Sequence, residues 1–427
     1  MNLITIVCLL MLILLLFKVP VFVSIIVPTI IYFIFTPGLA IISVAQRFIA
    51  GVESIPLLAV PFFVFSGILM NYSGVTKRIM EFAEVLTGRM YGGLAQVNVL
   101  LSTLMGGLSG SNLADAAMEA KMLVPEMRKH GYSNEFSTVV TAASSLITPM
   151  IPPGIAMILY GSVTNVSIGK LFIAGIGPGI MMCVFMMILV HFISKRRGYM
   201  RMRENHAGIK DIWTVTKRAF FPLCLPVVII GGIRIGAFTP TEAGAVSIIY
   251  ALILGIAYRE LTLDYFFETI KETIKTTASI MLIVGASSAF AWMLTRERIP
   301  QTITETLVVV IKNKYLFLVG VNIFLLFVGM FIEGGAATIV LAPLLAPAAA
   351  SFGIDPIQFG MVVIFNLAIG CLTPPLGTVM FVTCQITGCK IERFTREAVP
   401  FFILFFILLI LLTYVPFFST VFVNMMY

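Results

Sequence analysis

GGLSGSNLADAAMEAKMLVPEMRKHGYSNEFSTVVTAASSLITPMIPPG, residues Gly106–Gly154, is the stretch on which the reading of this chain turns. Its first part, Ser109-Gly-Ser-Asn-Leu-Ala-Asp115, sets two hydroxyls, an amide and a carboxylate between apolar helix formers. A carboxylate beside a hydrocarbon segment is costly, and by default marks a site for a ligand, ion or proton. Its last part, Thr148-Pro-Met-Ile-Pro-Pro-Gly154, cannot continue a helix. Proline lacks the amide donor, and its ring clashes with the carbonyl one turn back. Backbone broken at membrane depth persists only where protein buries it or where it lines a cavity. Carbonyls freed there can coordinate a cation. The flanking apolar arms, Leu94–Met105 and Ala114–Met127, are short. An arm of about 12 residues cannot cross about 30 Å at 1.5 Å per residue. A re-entrant hairpin with a polar tip is therefore predicted.

Composition agrees with a membrane setting. Of 427 residues, 59% are hydrophobic and 11% charged, with a mean hydropathy of +1.05. Soluble domains carry about 25% charged residues. The apolar runs are continuous and do not alternate, which excludes an outer-membrane barrel and predicts an all-α polytopic membrane protein. The net charge of +8 reads as cytoplasmic loop bias and not as a nucleic-acid surface. Six cysteines, none in a C-x-x-C pair, read as small packing residues. His130, His191 and His206 are too dispersed for a metal site. Neither H-E-x-x-H nor a Walker A motif occurs, which disfavours zinc catalysis and ATP hydrolysis on this chain. Met1–Phe17 lacks a basic n-region and a cleavage site, so it reads as a retained first helix.

Outward from the central stretch, Leu3–Phe17 and Val21–Phe35 are apolar runs joined at Lys18-Val-Pro20. Ile55–Met70 follows, and then Thr76–Arg89, whose charges at helical spacing predict a solvated face along the membrane surface. Leu171–Ser194 is a span ending in Lys195-Arg-Arg197, the start of the densest basic loop, which anchors the cytoplasmic side. Ala219–Gly236 and Thr241–Tyr258 form a helical pair. Leu261–Lys275 is expected on the interface, ahead of separate spans at Thr277–Leu294 and Leu316–Met330. Glu333-Gly-Gly335 and a proline-bounded second hairpin come next, then Phe359–Gly370, a second Pro-Pro break and a closing helix, Pro400–Val423.

At an offset of 222 residues the rare turn formers of the two halves coincide: Pro125 with Pro347, Gly131 with Gly353, Pro152-Pro153 with Pro374-Pro375, and Pro178 with Pro400. The cluster around Asn112 then faces Gly334-Gly335, and Thr148–Gly154 faces Gly370–Leu376. Short, Gly/Pro-interrupted apolar segments at matching places in two halves point to a transporter binding site. The alternative is two unrelated kinked bundles with chance proline matches. The resulting division is scaffold helices at 1–93, a first transport repeat at 94–194, a basic linker and scaffold helices at 195–315, a second transport repeat at 316–398, and a C-terminal helix at 399–427.

Two readings compete with transport. Gly107-Leu-Ser-Gly110 matches the G-x-S-G around the serine of rhomboid intramembrane proteases. Such a nucleophile needs a histidine base in reach, and His191, the intramembrane candidate, sits beside the basic loop. A non-transporting membrane scaffold would show no solute dependence at all.

Several stretches resemble the large membrane subunit of TRAP (tripartite ATP-independent periplasmic) transporters. They are Pro56-Leu-Leu-Ala-Val-Pro-Phe-Phe63, Ser109–Asp115, Ile151-Pro-Pro-Gly154, Phe238-Thr-Pro-Thr-Glu-Ala-Gly244 and Gly370-Cys-Leu-Thr-Pro-Pro-Leu-Gly377. The resemblance covers nearly the whole chain and implies an elevator-type, sodium-driven secondary symporter with two inverted repeats, each carrying a re-entrant hairpin and a Pro-broken helix. It implies a small four-helix membrane subunit and a soluble periplasmic substrate-binding protein as partners, and a multi-pass place in the bacterial inner membrane, in contact with lipid. With no small-subunit segment ahead of Met1, it also implies the unfused form. Pro153-Gly154 departs from the more usual Pro-Ser. Asn112 and Met118-Glu-Ala-Lys121 lean toward the sialic-acid branch and away from the C4-dicarboxylate branch.

On that resemblance, sodium ions would be held by oxygen. The first-half ligands would be Ser109 with the carbonyls of Thr148, Ile151 and Pro153. The second-half ligands would be Gly334 or Gly335 with Gly370, Thr373 and Leu376. Ser111, Asn112 and Asp115 would be further ligands or would position the hairpin tip with Gly110, beside an organic anion lying between the two tips. Asp115 has a second reading, as the N-cap of the returning arm. Pro149, Pro152, Pro374 and Pro375 would shape the breaks. Arg234, Arg296 and Arg298 would meet substrate or the soluble partner, or anchor the interface. Glu242 is expected to tie a helix end.

Overall fold

The computed structural model describes residues 3–17, 19–199, 201–202, 208–311 and 313–427. Lys18, Arg203 and His206 lie outside the described residues. Every regular element among them is helical. Among the described residues, seven helices are long and apolar enough to cross a membrane. The count is eight if Asn134–Met150 and Ile155–Thr164, bent by 42°, form one span.

The chain begins with α1 (Leu3–Leu16), α2 (Val21–Phe35) and α3 (Ile42–Val52). A 3-10 turn, Ile55–Leu58, leads into α4 (Ala59–Tyr72), and α5 (Val75–Thr87) follows. α3 was not foreseen. On α5, Val75, Ile79, Ala83 and Thr87 recur every fourth residue and are buried, so the helix packs on its neighbours and exposes only one side to solvent.

The first hairpin is α6 (Gly93–Ser109) and α7 (Asn112–Lys129). Its arms have 17 and 18 residues, longer than the expected 12. At 1.5 Å per residue they reach about 26 Å, and the last turn of α7 continues into the charged Glu126, Arg128 and Lys129. α8 (Asn134–Ser144) tightens into a 3-10 turn over Ser145–Met150, the chain breaks at Ile151–Gly154, and α9 (Ile155–Thr164) leaves in a new direction. α10 (Ile168–Arg197) returns to the basic loop.

α11 (Ile209–Arg234) and α12 (Pro240–Tyr258) form the expected pair. The separate interfacial helix at Leu261–Lys275 is not formed. α13 runs unbroken over Leu263–Arg296, 34 residues and about 51 Å. No proline interrupts it, and its first glycine is Gly285, so nothing in the backbone stops the helix where its polarity changes. α14 (Ile299–Val310) follows, also unforeseen.

The second hairpin is α15 (Lys314–Gly329) and α16 (Gly334–Ser351), followed by α17 (Pro356–Leu372), a break over Thr373–Gly377, and α18 (Thr378–Thr387). α16 begins and ends 222 residues after α7, and α17 spans the residues 222 beyond α8 and its 3-10 turn. Gly131 and Gly353 both take left-handed turns, at φ +83° and +69°. The Pro152-Pro153 and Pro374-Pro375 bonds are both cis. The expected closing helix is two: α19 (Ile391–Tyr414) and α20 (Phe417–Met426). Pro416 forces Val415 into extended backbone, at φ −118° and ψ 91°.

α12 packs on α4, and α13 packs on α2, α3 and α4. α6–α9 and α16–α18 pack largely among themselves, with α10 and α19 alongside. α13 also touches α16, which brings the two groups together.

Candidate solute and cation site

The tip of the first hairpin is a turn of one glycine and one serine. Gly110 ends α6 at φ +64°, a left-handed conformation that costs glycine little. A Cβ at Gly110 would also lie 2.8 Å from the Pro153 carbonyl oxygen. Ser111 starts α7, its hydroxyl accepting from the Ala114 amide at 3.4 Å. The N-cap is therefore Ser111. Asp115, one turn further on, has a different task.

Asp115 is fully buried. Its Oδ2 accepts from the Ser109 hydroxyl at 2.6 Å and from the Thr148 hydroxyl at 2.7 Å, tying the end of α6 to the broken segment. Its Oδ1 has no partner among the described residues. A buried carboxylate oxygen left without a donor is rare and costly. Around it, Gly106 packs so closely on the 3-10 turn that a Cβ there would meet Thr148 Cα at 2.9 Å. The Ile155 amide reaches the Gly110 carbonyl at 3.4 Å.

In the breaks, the Ile151, Pro153 and Leu376 carbonyls accept no backbone amide among the described residues. The Thr148 and Gly370 carbonyls each accept one, from Ile151 at 3.2 Å and Thr373 at 2.9 Å, and the Gly334 carbonyl takes the Thr338 hydroxyl at 2.7 Å. The Thr373 hydroxyl donates to Ile369 at 2.7 Å, leaving its lone pairs free. Pro149, Pro152, Pro374 and Pro375 lie in or beside the breaks as expected.

Glu333, at the tip of the second hairpin, was passed over. It stands 222 residues after Ser111 and has the same place, as N-cap. Its carboxylate accepts from the Gly335 amide at 2.9 Å and the Ala336 amide at 3.0 Å. The signal was present as an acid directly before a Gly-Gly helix start, a favoured N-cap position. Glu242, by contrast, ties a helix end as expected: it accepts from the Thr239 amide at 2.7 Å, and the Thr239 hydroxyl receives its own amide at 3.2 Å.

Both tips line one cavity of about 420 Å³. Gly110, Ser111 and Asn112 stand on one side, with Glu333, Gly334 and Gly335 from the second hairpin. α13 closes a wall with Thr276 and Ser279. The one ionisable side chain lining it, among the described residues, is Glu333. Arg234, Arg296 and Arg298 do not line it; Arg234 bonds the Met426 carbonyl at 3.3 Å, and Arg296 stands over the Trp292 ring at 5.8 Å.

The protease arrangement is not formed. The Ser109 hydroxyl is bonded to Asp115, while His191 packs edge-on against Tyr91 at 5.4 Å and Phe192 at 6.0 Å.

Two hairpin tips around one cavity, each hairpin followed by a broken helix, in a multi-pass helical membrane protein, define a secondary-transporter class of site. The chain belongs to the tripartite ATP-independent periplasmic transporter family, DctM component, whose sequence profile matches residues 8–418. It is 42% identical to the sialic acid TRAP transporter large permease protein SiaM of Vibrio cholerae, over 94% of this chain and 93% of that protein. It is 35% identical to the C4-dicarboxylate TRAP transporter large permease protein DctM of Pseudomonas aeruginosa, over 90% and 89%. These relatives are transport permeases and not enzymes. The fold is also similar to the solved YdaH transporter of Alcanivorax borkumensis, at a TM-score of 0.55, 14% identity and coverage of 87% and 86%. MtrF of Neisseria gonorrhoeae is similar at a TM-score of 0.56, 12% identity and coverage of 98% and 95%.

Proposed function

We propose that this chain is the translocating subunit of a sodium-coupled symporter of the bacterial inner membrane. It imports a small organic anion of the sialic-acid type, with C4-dicarboxylates as the second choice. A soluble periplasmic binding protein delivers the anion, and a small four-helix membrane subunit completes the assembly. The observation that carries this reading is the cavity shared by the two tips. An organic anion there meets no lysine, arginine or histidine, and it meets the Glu333 carboxylate. Cations must enter with it to offset the charge; Pro149 and Ile155, on either side of the first oxygen-rich break, line the cavity, as does Ala368 of α17, the helix that leads into the second.

Sodium in the first half would use Ser109 with the carbonyls of Thr148, Ile151 and Pro153, beside the unpartnered Asp115 oxygen. In the second half it would use Gly334 or Gly335 with Gly370, Thr373 and Leu376. The lone pairs left on these oxygens are compatible with that role. The two segments are read as inverted because α19 starts where α10 ends. Arg197 pairs with Glu397 at 2.6 Å and Arg393 with Glu135 at 3.1 Å, while the far end of α19 meets α15, Tyr414 bonding the Tyr315 carbonyl at 3.3 Å. The first hairpin then opens toward the basic loop and the second away from it. Sodium orders the tips, and the hairpin-bearing group slides against a frame of α2, α3, α4, α12 and α13.

The test is sialate uptake into proteoliposomes holding both membrane subunits, with and without binding protein and a sodium gradient. Uptake that requires all of them is expected. ATP-driven uptake, or the same rate without sodium, overturns the reading. For the sliding motion, cysteine pairs bridging α7 to α4 are expected to stop transport when cross-linked.

A further inference from the structure

A second and larger chamber, about 840 Å³, lies between the returning arm of the first hairpin and the α4–α5–α13 wall. It is stacked on the tip cavity. On α13, Glu272 lines the chamber and Thr276, one turn on, lines the tip cavity. On α7, Leu113 lines the tip cavity and Ala114, Ala117 and Lys121 line the chamber. Arg218 approaches Glu81 of α5 at 3.7 Å, so the chamber is at the end of the molecule that carries the basic loop. That end is cytoplasmic by the positive-inside rule.

The charges of this chamber differ from those of the cavity above it. Its two acids are engaged: Glu260 pairs with Arg78 at 3.0 Å, and Glu272 accepts from the Tyr72 hydroxyl at 3.2 Å. Its two lysines, Lys77 on the α5 wall and Lys121 on the hairpin arm, face it from opposite sides. Both are exposed, and neither has an ion-pair partner among the described residues. Around them, Asn71, Thr76 and Tyr265 offer neutral hydrogen-bonding groups.

We propose that this chamber is a second binding site, for small organic carboxylates, with Lys77 and Lys121 as its cationic walls; it receives the solute on the cytoplasmic side. This rests on the organic-anion reading above. A carboxylate leaving the tip cavity passes from a site with no cationic side chain to one with two. Because one lysine is on the hairpin arm and the other on the wall, the site is complete only while the two stand face to face across the chamber.

The test uses the full-length chain in inside-out membrane vesicles, with Ala117→Cys as reporter and Ala114→Cys as a second. Labelling is read from the mass of the α7 peptide. An anionic methanethiosulfonate (the ethylsulfonate) is expected to react several-fold faster, relative to the cationic trimethylammonium reagent, than each does with a free thiol in solution. That preference should fall stepwise with Lys77→Gln and Lys121→Gln and vanish in the double variant. Millimolar sialate or succinate should slow the labelling in the wild-type background and not in the double variant. An unchanged reagent ratio in the double variant overturns the proposal, as does the failure of both anions to protect. If a neutral methanethiosulfonate labels neither cysteine, the chamber is not open to solution and the proposal falls as well. The reagent ratio needs no sodium and no uptake, so its failure beside intact sodium-driven uptake removes only the chamber. Loss of sodium dependence with protection intact removes only the coupling.

Discussion

The two hairpin segments share a backbone plan and differ in what fills it. Where the first has Ser109, Asp115 and Thr148, the second has Phe331, Ala337 and Gly370. Where the first buries Glu119 against the Ser102 hydroxyl, at 2.7 and 2.9 Å, the second has Leu341 and Phe324. The second tip is built from main chain instead. Gly329 and Gly370 meet so closely that a Cβ on Gly370 would lie 2.6 Å from the Gly329 carbonyl carbon, and Glu333 caps α16. Its buried side-chain polarity is away from the tip, where Asn366 bonds the Asn322 amide oxygen at 2.8 Å and Asn322 bonds the Thr413 hydroxyl at 3.0 Å. The same break can thus be held by a carboxylate clasp or by glycine contact. Only the clasp leaves a buried carboxylate oxygen without a partner beside the break.

If that distinction matters, the largest effect belongs to the clasp. Asp115→Ala strands two buried hydroxyls, at about 1–3 kcal/mol each, and removes the charge. Sodium-driven uptake should fall more than about a hundredfold, while the protein still inserts and runs as a folded peak on size exclusion. Uptake with wild-type sodium dependence would break the comparison at its strongest point.

Next come the breaks themselves. Pro153→Ala and Pro375→Ala each restore an amide donor, so the local carbonyls can return to helical pairing. Each should raise the sodium concentration for half-maximal uptake about tenfold, equivalent to about 1.4 kcal/mol. A first-half change that moves sodium dependence, beside a second-half change that moves only substrate affinity, would make the halves functionally unequal.

Glu333→Ala should act less, because it removes a helix cap worth about 1 kcal/mol. It also removes the one ionisable side chain that lines the tip cavity among the described residues. Thermal unfolding should reflect the first effect. The second should lower the KM for the anion, and an unchanged KM would argue that the carboxylate does not face the solute.

The smallest change is Thr373→Ala. It deletes a hydroxyl that already bonds the Ile369 carbonyl, so a two- to threefold rise in the sodium requirement is expected, within the range of a single neutral hydrogen bond of about 0.5–1.5 kcal/mol. Thr148→Ala, measured beside it, should cost more, since that hydroxyl bonds the buried carboxylate.

Much of this plan was legible in the chain. Local chemistry determined the all-helical membrane class, both Pro-Pro breaks and the polar tip at Ser109–Asp115. The apolar run of α2 and the helix-end role of Glu242 were legible for the same reason: capping groups, proline, glycine and apolar runs act on residues within a turn or two of themselves. Where polarity changed without a backbone signal, the reading failed. α13 was divided in two although nothing stops the helix, and Pro416 was overlooked inside an apolar run. The rest depended on residues far apart in the chain. Asp115 meets Thr148 from 33 positions away, Glu333 shares a cavity with Ser111, and Lys77 faces Lys121 across a chamber walled by α13. No local pattern encodes such pairings, because they are set by how finished helices pack, and packing alone decides which buried polar atom finds a partner and which is left open.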